Sequence, residues 1–379
     1  IRDQPRSRGL GDVYKRQIST RLGQQRTVMS KVSVFISGAL LLAERGYLPD
    51  ALLRSGIRRL CRNRLAEIEF EDKSAGEKRI ASFVDAMNHA DIAPIPHKAN
   101  QQHYELPAQF FELILGIHRK YSCGYWDDDE QSLDQSEQRA LERTCEYADI
   151  RNGDQILELG CGWGSLTLWM AQQFPASHIT AISNSASQRA HIVRLAADRG
   201  LRNLDVLTRD INHFDTESKF DRIVSVEMFE HLRNYGEIFR RIANWLNEEG
   251  QFYMHIFCHR NQPYEFIDRG PGDWMTRYFF SGGMMPSVDL PLHFQHHLAL
   301  DQEWHWSGTH YQHTANTWLR NLDQKKSEIM PILAAVYGHD SSQGWFHRWR
   351  LFFIACAELF GMQNGTYWGV HHYRFRQAK

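Results

Sequence analysis

The sequence predicts an α/β fold: a doubly wound, mostly parallel sheet, with a helical N-terminal extension and a lid insertion. Three observations carry this reading. From residue 153 onward, short apolar runs alternate with helix-length segments. A glycine-rich turn, Gly160-Cys161-Gly162-Trp163-Gly164, joins the first of those runs to the first helix. Ahead of residue 153 the periodicity is largely helical, and after about 260 the pattern turns irregular, aromatic and His-rich.

The elements follow in chain order. Leu52, Leu53, Ile57, Leu60 and Leu65 recur at helical spacing with Arg between them, inside a helical stretch from 30 to about 90. A polar, Pro-containing link covers 91–103. The stretch 104–150 is helical again, interrupted by the aromatic turn Tyr121-Ser122-Cys123-Gly124-Tyr125-Trp126. Gly153-Asp154 is a turn, and Ile156–Leu159 reads as a short buried strand. Helices are expected at Leu166–Phe174, Ala186–Arg199, Tyr235–Leu246 and Phe346–Leu359. Further strands are expected at His178–Ser183, Leu204–Thr208, Arg222–Val226 and Phe252–Phe257. The alternating segment Thr366–Phe375 is expected to form edge strands. The chain thus divides into a leader (1–28), a helical extension (29–103) and one domain (104–379) with an aromatic lid at about 260–345.

Composition narrows the function classes. The chain has 379 residues, 42% hydrophobic and 23% charged, as an ordinary globular protein has. Lys plus Arg is 44 against 45 Asp plus Glu, which excludes nucleic-acid binding driven by bulk positive charge. Ser7–Gln17 reads like a translated adapter of transposon-based sequencing libraries, so Ile1–Gln17 is read as an assembly scar and Met29 as the expected start. Without residues 1–28 the chain holds 37 basic and 43 acidic residues, which disfavours attraction to anionic membranes. Six cysteines without a C-x-x-C pair argue against a disulfide scaffold or structural zinc and fit a reducing cytoplasm. The apolar run Val32–Ala43 is far shorter than the ~20 residues of a membrane span and reads as an amphipathic helix. The clustered His293, His296, His297, His305, His310 and His313 have irregular spacing and no completing Cys or carboxylate, so a solvated surface is expected there and no metal.

Chemistry concentrates at consecutive strand ends. The turn Glu158-Leu159-Gly160-Cys161-Gly162-Trp163-Gly164 lets a ligand approach the backbone closely, and alone it would suit NAD or FAD as well. The acid at Glu158 shifts the balance, because a carboxylate there pairs with a cationic amino group such as that of S-adenosylmethionine. Ser183, Asn184 and Gln188 lie where a doubly wound sheet places a ribose. Asp210-Ile211 lies at the next strand end, where a carboxylate accepts from an adenine amino group; alone, Asp210 reads equally as a cap or turn residue.

With these residues in view, the chain resembles the S-adenosylmethionine-dependent methyltransferases of the cyclopropane-fatty-acid synthase superfamily, and within it the plant coclaurine N-methyltransferase-like branch and its bacterial relatives. The matching stretches are YSCGYW (121–126), ILELGCGWGSLTLW (156–169), DRIVSVEMFEHLRNYGE (221–237), DWMTRYFFSGGMMPS (273–287) and FFIACAELF (352–360). The resemblance implies a Rossmann-like, seven-stranded class I methyltransferase sheet. It implies that Tyr121 and Ser122 close over the cofactor, that Gly160 and Gly162 form its loop, that Ser183 and Gln188 flank the ribose, and that Asp210 with Ile211 flanks adenine. In the cyclopropane synthases a bicarbonate is held by residues that match Cys123, Glu230, His255, the backbone of Phe257 and Tyr311. Phe257 replaces the usual Ile. The lipid enzymes commonly have Gly where this chain has Glu227, as the amine N-methyltransferases often do, and Glu105 matches a further acidic position of the amine enzymes.

An amine acceptor makes physical sense of those acids. An amine attacks an electrophilic methyl only when neutral, so Glu230 or His231 is expected as base and Glu227 with Glu105 as holders of the ammonium. Trp274, Tyr278, Phe279, Phe280, Trp304 and Trp306 are candidates for cation–π walls or for plain lid core. The expected partners are a small-molecule amine or lipid acceptor, with a homodimer allowed for and no nucleic acid. The competing expectation is methyl or methylene transfer to an unsaturated acyl chain with bicarbonate as base. Glu105 and Glu227 would be costly beside an acyl chain unless paired.

Overall fold

Five parallel strands form one half of the sheet: β1 (Gln155–Leu159), β2 (His178–Ser183), β3 (Leu204–Thr208), β4 (Phe220–Val226) and β5 (Leu246–His259). Two short strands, β6 (Tyr264–Glu265) and β7 (Met284–Met285), pair on their own. The main sheet is completed by β8 (Leu298–Trp306) and β9 (Trp368–Gln377), giving seven strands in the order β3-β2-β1-β4-β5-β9-β8. β9 runs antiparallel to both neighbours. The computed structural model describes residues 36–69, 73–94, 106–128 and 131–379. The expected leader at 1–28 and Glu105 lie outside the described residues.

The sequence-expected strands and helices of the β1–β5 half appear within two residues of their expected bounds, except β5, which starts six residues earlier than Phe252. Two features differ. Thr366–Phe375 was expected at an edge, yet β9 lies between β5 and β8 and is buried from Trp368 to Phe375 on both faces. The edge is β8, inside the stretch expected as lid. Its Gln302 and Glu303 are exposed and Asp301 pairs with Arg374 and Arg376, so the strand shows no alternating apolar signature.

After a helical segment over 36–44, the labelled helices are α1 (Asp50–Ile68), α2 (Lys73–Asn88), α3 (Ala108–Ile114), α4 (Leu133–Tyr147), α5 (Ser165–Gln173), α6 (Ala186–Asp198), α7 (Tyr235–Trp245), α8 (Trp274–Tyr278), α9 (Gly308–Gln324), α10 (Lys326–Tyr337) and α11 (His339–Phe360). Their starts are chemically marked. Ser132 and Gln135 make a reciprocal capping box on α4, while Ser185 and Asn234 cap α6 and α7. α1 is held to α11 by charge: Arg54 and Arg58 each reach the buried Glu358, at 2.7 and 2.8 Å. Glu44 accepts from Arg348 of α11 at 2.9 Å and from Trp274 of α8 at 2.8 Å. Residues 44–58 are thereby fixed against α8 and α11.

The strand order reverses at β1, whose neighbours are β2 and β4. In such sheets the crevice beyond the carboxyl ends of those strands is the ligand site. α9 is brought to that crevice by Gly308, where a Cβ would stand 2.1 Å from the Trp368 carbonyl oxygen and 2.2 Å from that of Phe360. Both obstacles are backbone. Gly308→Ala is therefore expected to lower stability by about 3 kcal/mol, read as a fall in the urea midpoint; an unchanged midpoint would refute this close approach.

Candidate active site

A cavity opens at the carboxyl ends of β1, β2, β3 and β4. All ten residues expected to meet the cofactor line it: Tyr121, Ser122, Glu158, Gly160, Gly162, Ser183, Asn184, Gln188, Asp210 and Ile211. Gly160 takes φ +79°, and a Cβ there would meet Met228 Sδ at 2.8 Å, so only glycine gives the turn and the space together. Ser183 Oγ donates to Gln188 Oε1 at 2.6 Å. That bond turns the Gln188 amide and leaves its Nε2 buried with no protein partner. Trp163 Nε1 and Ser165 Oγ, also in the cavity wall, are buried in the same condition. Buried donors without partners are costly, and a ribose or an amino-acid tail supplies the acceptors.

Two acids complete the cofactor wall. Asp210 accepts from the Asn212 N–H at 2.9 Å, so it is a turn residue and a cavity residue at once. Glu158 Oε2 accepts from Thr167 Oγ1 at 2.5 Å, and burial pushes its carboxyl up to about 7. A cationic amino group beside it would restore the ionised form. This donor and acceptor set fits S-adenosylmethionine.

Glu227 follows the last residue of β4 in a left-handed conformation, φ +48°, which is strained for a residue with a side chain. Its own N–H donates to the His255 carbonyl at 2.8 Å. The Cys123 N–H donates to its Oε1 at 2.9 Å, and Tyr311 OH donates to its Oε2 at 2.7 Å. His255 Nε2 lies 3.2 Å from Oε1 and is the donor toward an ionised carboxylate. Burial pushes the Glu227 carboxyl up, and the Lys120 ammonium is the strongest influence in the opposite direction.

Cys123, His255 and Tyr311 were expected to hold bicarbonate, and here their donors serve Glu227 instead. Cys123 Sγ points to the Gly124 carbonyl at 3.2 Å. The Phe257 N–H is also engaged, donating to Glu230 Oε1 at 2.7 Å. A second anion would have to lie against a buried carboxylate whose donors are already in use. The residues present do not fit bicarbonate.

A second cavity meets the first at Tyr121, Glu227 and His231, which line both. Its walls are aromatic and apolar: Phe257, Tyr264, Phe266, Trp274, Phe280, Tyr311, Trp318, Phe352 and Phe360, with Ile57, Leu60 and Cys61 from α1. Arg64 and Asp273 also line it and pair at 3.0 Å. His231 ends the single 3-10 turn Phe229–His231 and lies parallel to the Phe280 ring, with centroids 6.2 Å apart. Burial, helped by Arg233, pushes its imidazole down to about 4, so the ring is neutral near pH 7.

The other expected catalytic residues fall behind this junction. Glu230 lines neither cavity. It is wholly buried, with Oε2 lacking a partner and its carboxyl pushed well up by burial and by Glu227. Of the two residues expected as base, His231 lines both cavities and Glu230 lines neither. Cys123 and His255 are also fully buried, and both are bonded to Glu227. Of the six candidate wall aromatics, Trp274 and Phe280 line the second cavity. Trp304 stacks on Tyr147 at 4.3 Å, Phe279 stacks on Phe352 at 4.3 Å, Trp306 packs on His372 at 4.2 Å and Tyr278 faces Trp345. Among the described residues no His, Cys, Asp and Glu group could hold a metal ion. His310 instead accepts from the Trp126 N–H at 3.1 Å. Sequence reasoning missed Lys120 and Trp318, since nothing in their spacing marks a buried lysine or a wall residue on α9.

The family described as mycolic acid cyclopropane synthetase matches residues 95–369, and the chain belongs to that family. It is an S-adenosylmethionine-dependent methyltransferase. It is similar to (S)-coclaurine N-methyltransferase of Thalictrum flavum subsp. glaucum, with 34% identity over 341 residues, covering 88% of this chain and 94% of that protein. It is also similar to cyclopropane-fatty-acyl-phospholipid synthase of Escherichia coli (strain K12), with 30% identity over 274 residues, 71% of this chain and 66% of that one. A crystal structure of coclaurine N-methyltransferase bound to N-methylheliamine and SAH matches with a TM-score of 0.87 at 31% identity, covering 90% of this chain and 99% of that one.

Gln188→Ala removes the unpartnered donor at the ribose end. It is expected to weaken S-adenosylhomocysteine binding by about 1 kcal/mol, roughly fivefold, in titration calorimetry. Unchanged affinity would show that Nε2 does not meet the ligand.

Proposed function

We propose that this enzyme transfers the methyl of S-adenosylmethionine to the nitrogen of a small, aromatic-ring amine in the cytoplasm. One observation carries the reading: the wall shared by the cofactor cavity and the aromatic cavity holds one oriented carboxylate, Glu227, and one neutral imidazole, His231. The named activities of the coclaurine enzymes support it, as do the ring-sized apolar walls. No helix among the described residues is long and apolar enough to cross a membrane.

Bound S-adenosylmethionine supplies an electrophilic sulfonium methyl for in-line displacement. The chain supplies the rest. Tyr121, Ser122, Gly160, Gly162, Ser183, Gln188, Asp210 and Ile211 would hold the cofactor, with Glu158 toward its amino group. Glu227 attracts an ammonium form of the acceptor into the junction. The apolar walls lower the amine's proton affinity as they lower that of His231, and His231 takes the proton so that the nitrogen lone pair faces the methyl. Trp274 and Phe280 add cation–π attraction of about 0.5–2 kcal/mol each. Orientation accounts for much of the rate.

The acyl-chain alternative is weaker on this geometry. An ionised carboxylate at the junction is expensive beside a hydrocarbon chain, and the donors expected to hold bicarbonate already serve Glu227.

The deciding experiment offers labelled S-adenosylmethionine with heliamine and related cyclic amines on one side and unsaturated phospholipid vesicles on the other. Label is expected in N-methylamine products. Label in acyl chains with none in any amine would overturn the proposal. His231→Ala is expected to lower kcat on the preferred amine by roughly 10²–10⁴-fold while S-adenosylhomocysteine still binds. Glu227→Gly relieves the backbone strain but deletes the charge. It is expected to lower kcat/KM by roughly 10–100-fold, the loss of a charged hydrogen bond, and unchanged turnover would remove Glu227 from the site.

A further inference from the structure

We propose that Lys120 is a positioning residue that keeps Glu227 ionised and aimed, acting as its buried counter-charge across residue Cys123. The inference rests on the amine reading for its consequence in catalysis, though the ionisation of Glu227 is measurable without it.

Lys120 is 3% exposed, and lysine is almost never so buried without a charged partner. Its hydrogen bonds do not supply one. Nζ donates to Ser122 Oγ at 2.6 Å and to the Cys123 carbonyl at 2.8 Å, both neutral. The opposite charges that face it are Glu227 at the end of β4 and Glu137 on α4. Glu137 is already served by the Gly116 and His118 N–H groups at 2.8 and 3.0 Å, and burial pushes its carboxyl up to about 7. That leaves Glu227 as the stronger candidate for the ionised partner.

The connection is direct. The Cys123 carbonyl takes the Lys120 ammonium, and the Cys123 N–H donates to Glu227 Oε1 at 2.9 Å. Cys123 thus lies between cation and carboxylate, bonded to the one through its carbonyl and to the other through its N–H. The other groups around Glu227 are poor counter-charges. Tyr311 of α9 is a neutral donor, and burial pushes down the imidazoles of His231, of His255 on β5 and of His372 on β9 behind it. Glu230 carries the same sign and is pushed toward its neutral form. Lys120 also opposes protonation of His255, which keeps that ring available as a neutral donor to Glu227. The tether further orders Tyr121, the residue between Lys120 and Ser122 that lines both cavities.

The sign is fixed. A cation nearby lowers the carboxyl's proton affinity, so its removal raises it. In Lys120→Met the acid limb of kcat/KM for the amine is expected to move up by about 1–3 pH units, while Lys120→Arg restores the wild-type limb. Infrared difference spectra near pH 7 should show a protonated-carboxyl band in Lys120→Met that disappears in the Lys120→Met/Glu227→Gln double variant. Melting temperature and S-adenosylhomocysteine binding check that the variants fold. An unmoved limb and no new band in folded Lys120→Met would overturn the proposal. Should Lys120→Met fail to fold, wild type against Glu227→Gln decides: an ionised Glu227 near pH 7 supports the counter-charge, and a protonated one refutes it. Absence of any amine turnover would instead sink the amine reading and leave the infrared result standing.

Discussion

The site is organised by one buried carboxylate with its hydrogen bonds made. Glu227 takes donors from the 121–126 loop, from β5 and from α9, and its own N–H is bound to β5. A carboxylate in a closed interior is expensive unless its lone pairs are met. Each element that meets them is therefore placed by that need. This explains the tolerance of a left-handed backbone at residue 227, where local strain is outweighed by three converging donors. It also explains why β8 matters to chemistry although it lies at the far edge of the sheet. β8 feeds the turn at Gly308 into α9, and α9 carries Tyr311.

The two cavities are built from different material. The cofactor wall comes from the carboxyl ends of β1–β4, buried strands whose register is fixed on both sides. The acceptor wall comes from α1, the 264–285 segment, α9 and α11. Those parts are joined by side chains: Arg54 and Arg58 to Glu358, Arg64 to Asp273, and Glu44 to Trp274 and Arg348. A family can keep the first set and exchange the second, which separates cofactor use from acceptor choice. Both coclaurine and acyl-phospholipid enzymes among the relatives are consistent with that division.

Legibility in the sequence followed periodicity. β1–β5 and the helices between them carry apolar runs and turn residues, and they lie close to where those signals put them. β8 does not, because an edge strand with acidic residues in its middle has no regular burial pattern to display. β9 misled for the opposite reason: its alternation of His, Tyr, Phe and Arg reads as half-exposed, yet the Arg374 side chain is buried against Asp301. In the site, the ten residues expected on the cofactor side all line the first cavity, because glycine turns and strand ends have fixed places. Glu230 and His231 were not separable, since adjacency says nothing about which side of a 3-10 turn each takes. Lys120 was invisible, because a lysine reads as solvated until its burial is seen.

Position 227 also links the two chemistries of the family. In this chain its φ of +48° is a conformation that glycine adopts freely, so the lipid enzymes' usual Gly fits the same backbone without rearrangement. With Gly there, the Cys123 N–H, His255 Nε2 and Tyr311 OH would lose their carboxylate and face a vacant anion position. With Glu there, the anion is part of the chain. A tethered carboxylate incurs no loss of association entropy and cannot be diluted away, but it cannot leave either, and its charge stands permanently beside the acceptor. That charge suits an acceptor that arrives as a cation and penalises one that arrives as a hydrocarbon. On the proposed reading, a single substitution on an unchanged backbone would therefore alter which acceptors the junction tolerates, provided the carboxylate stays ionised in a site that burial would otherwise neutralise.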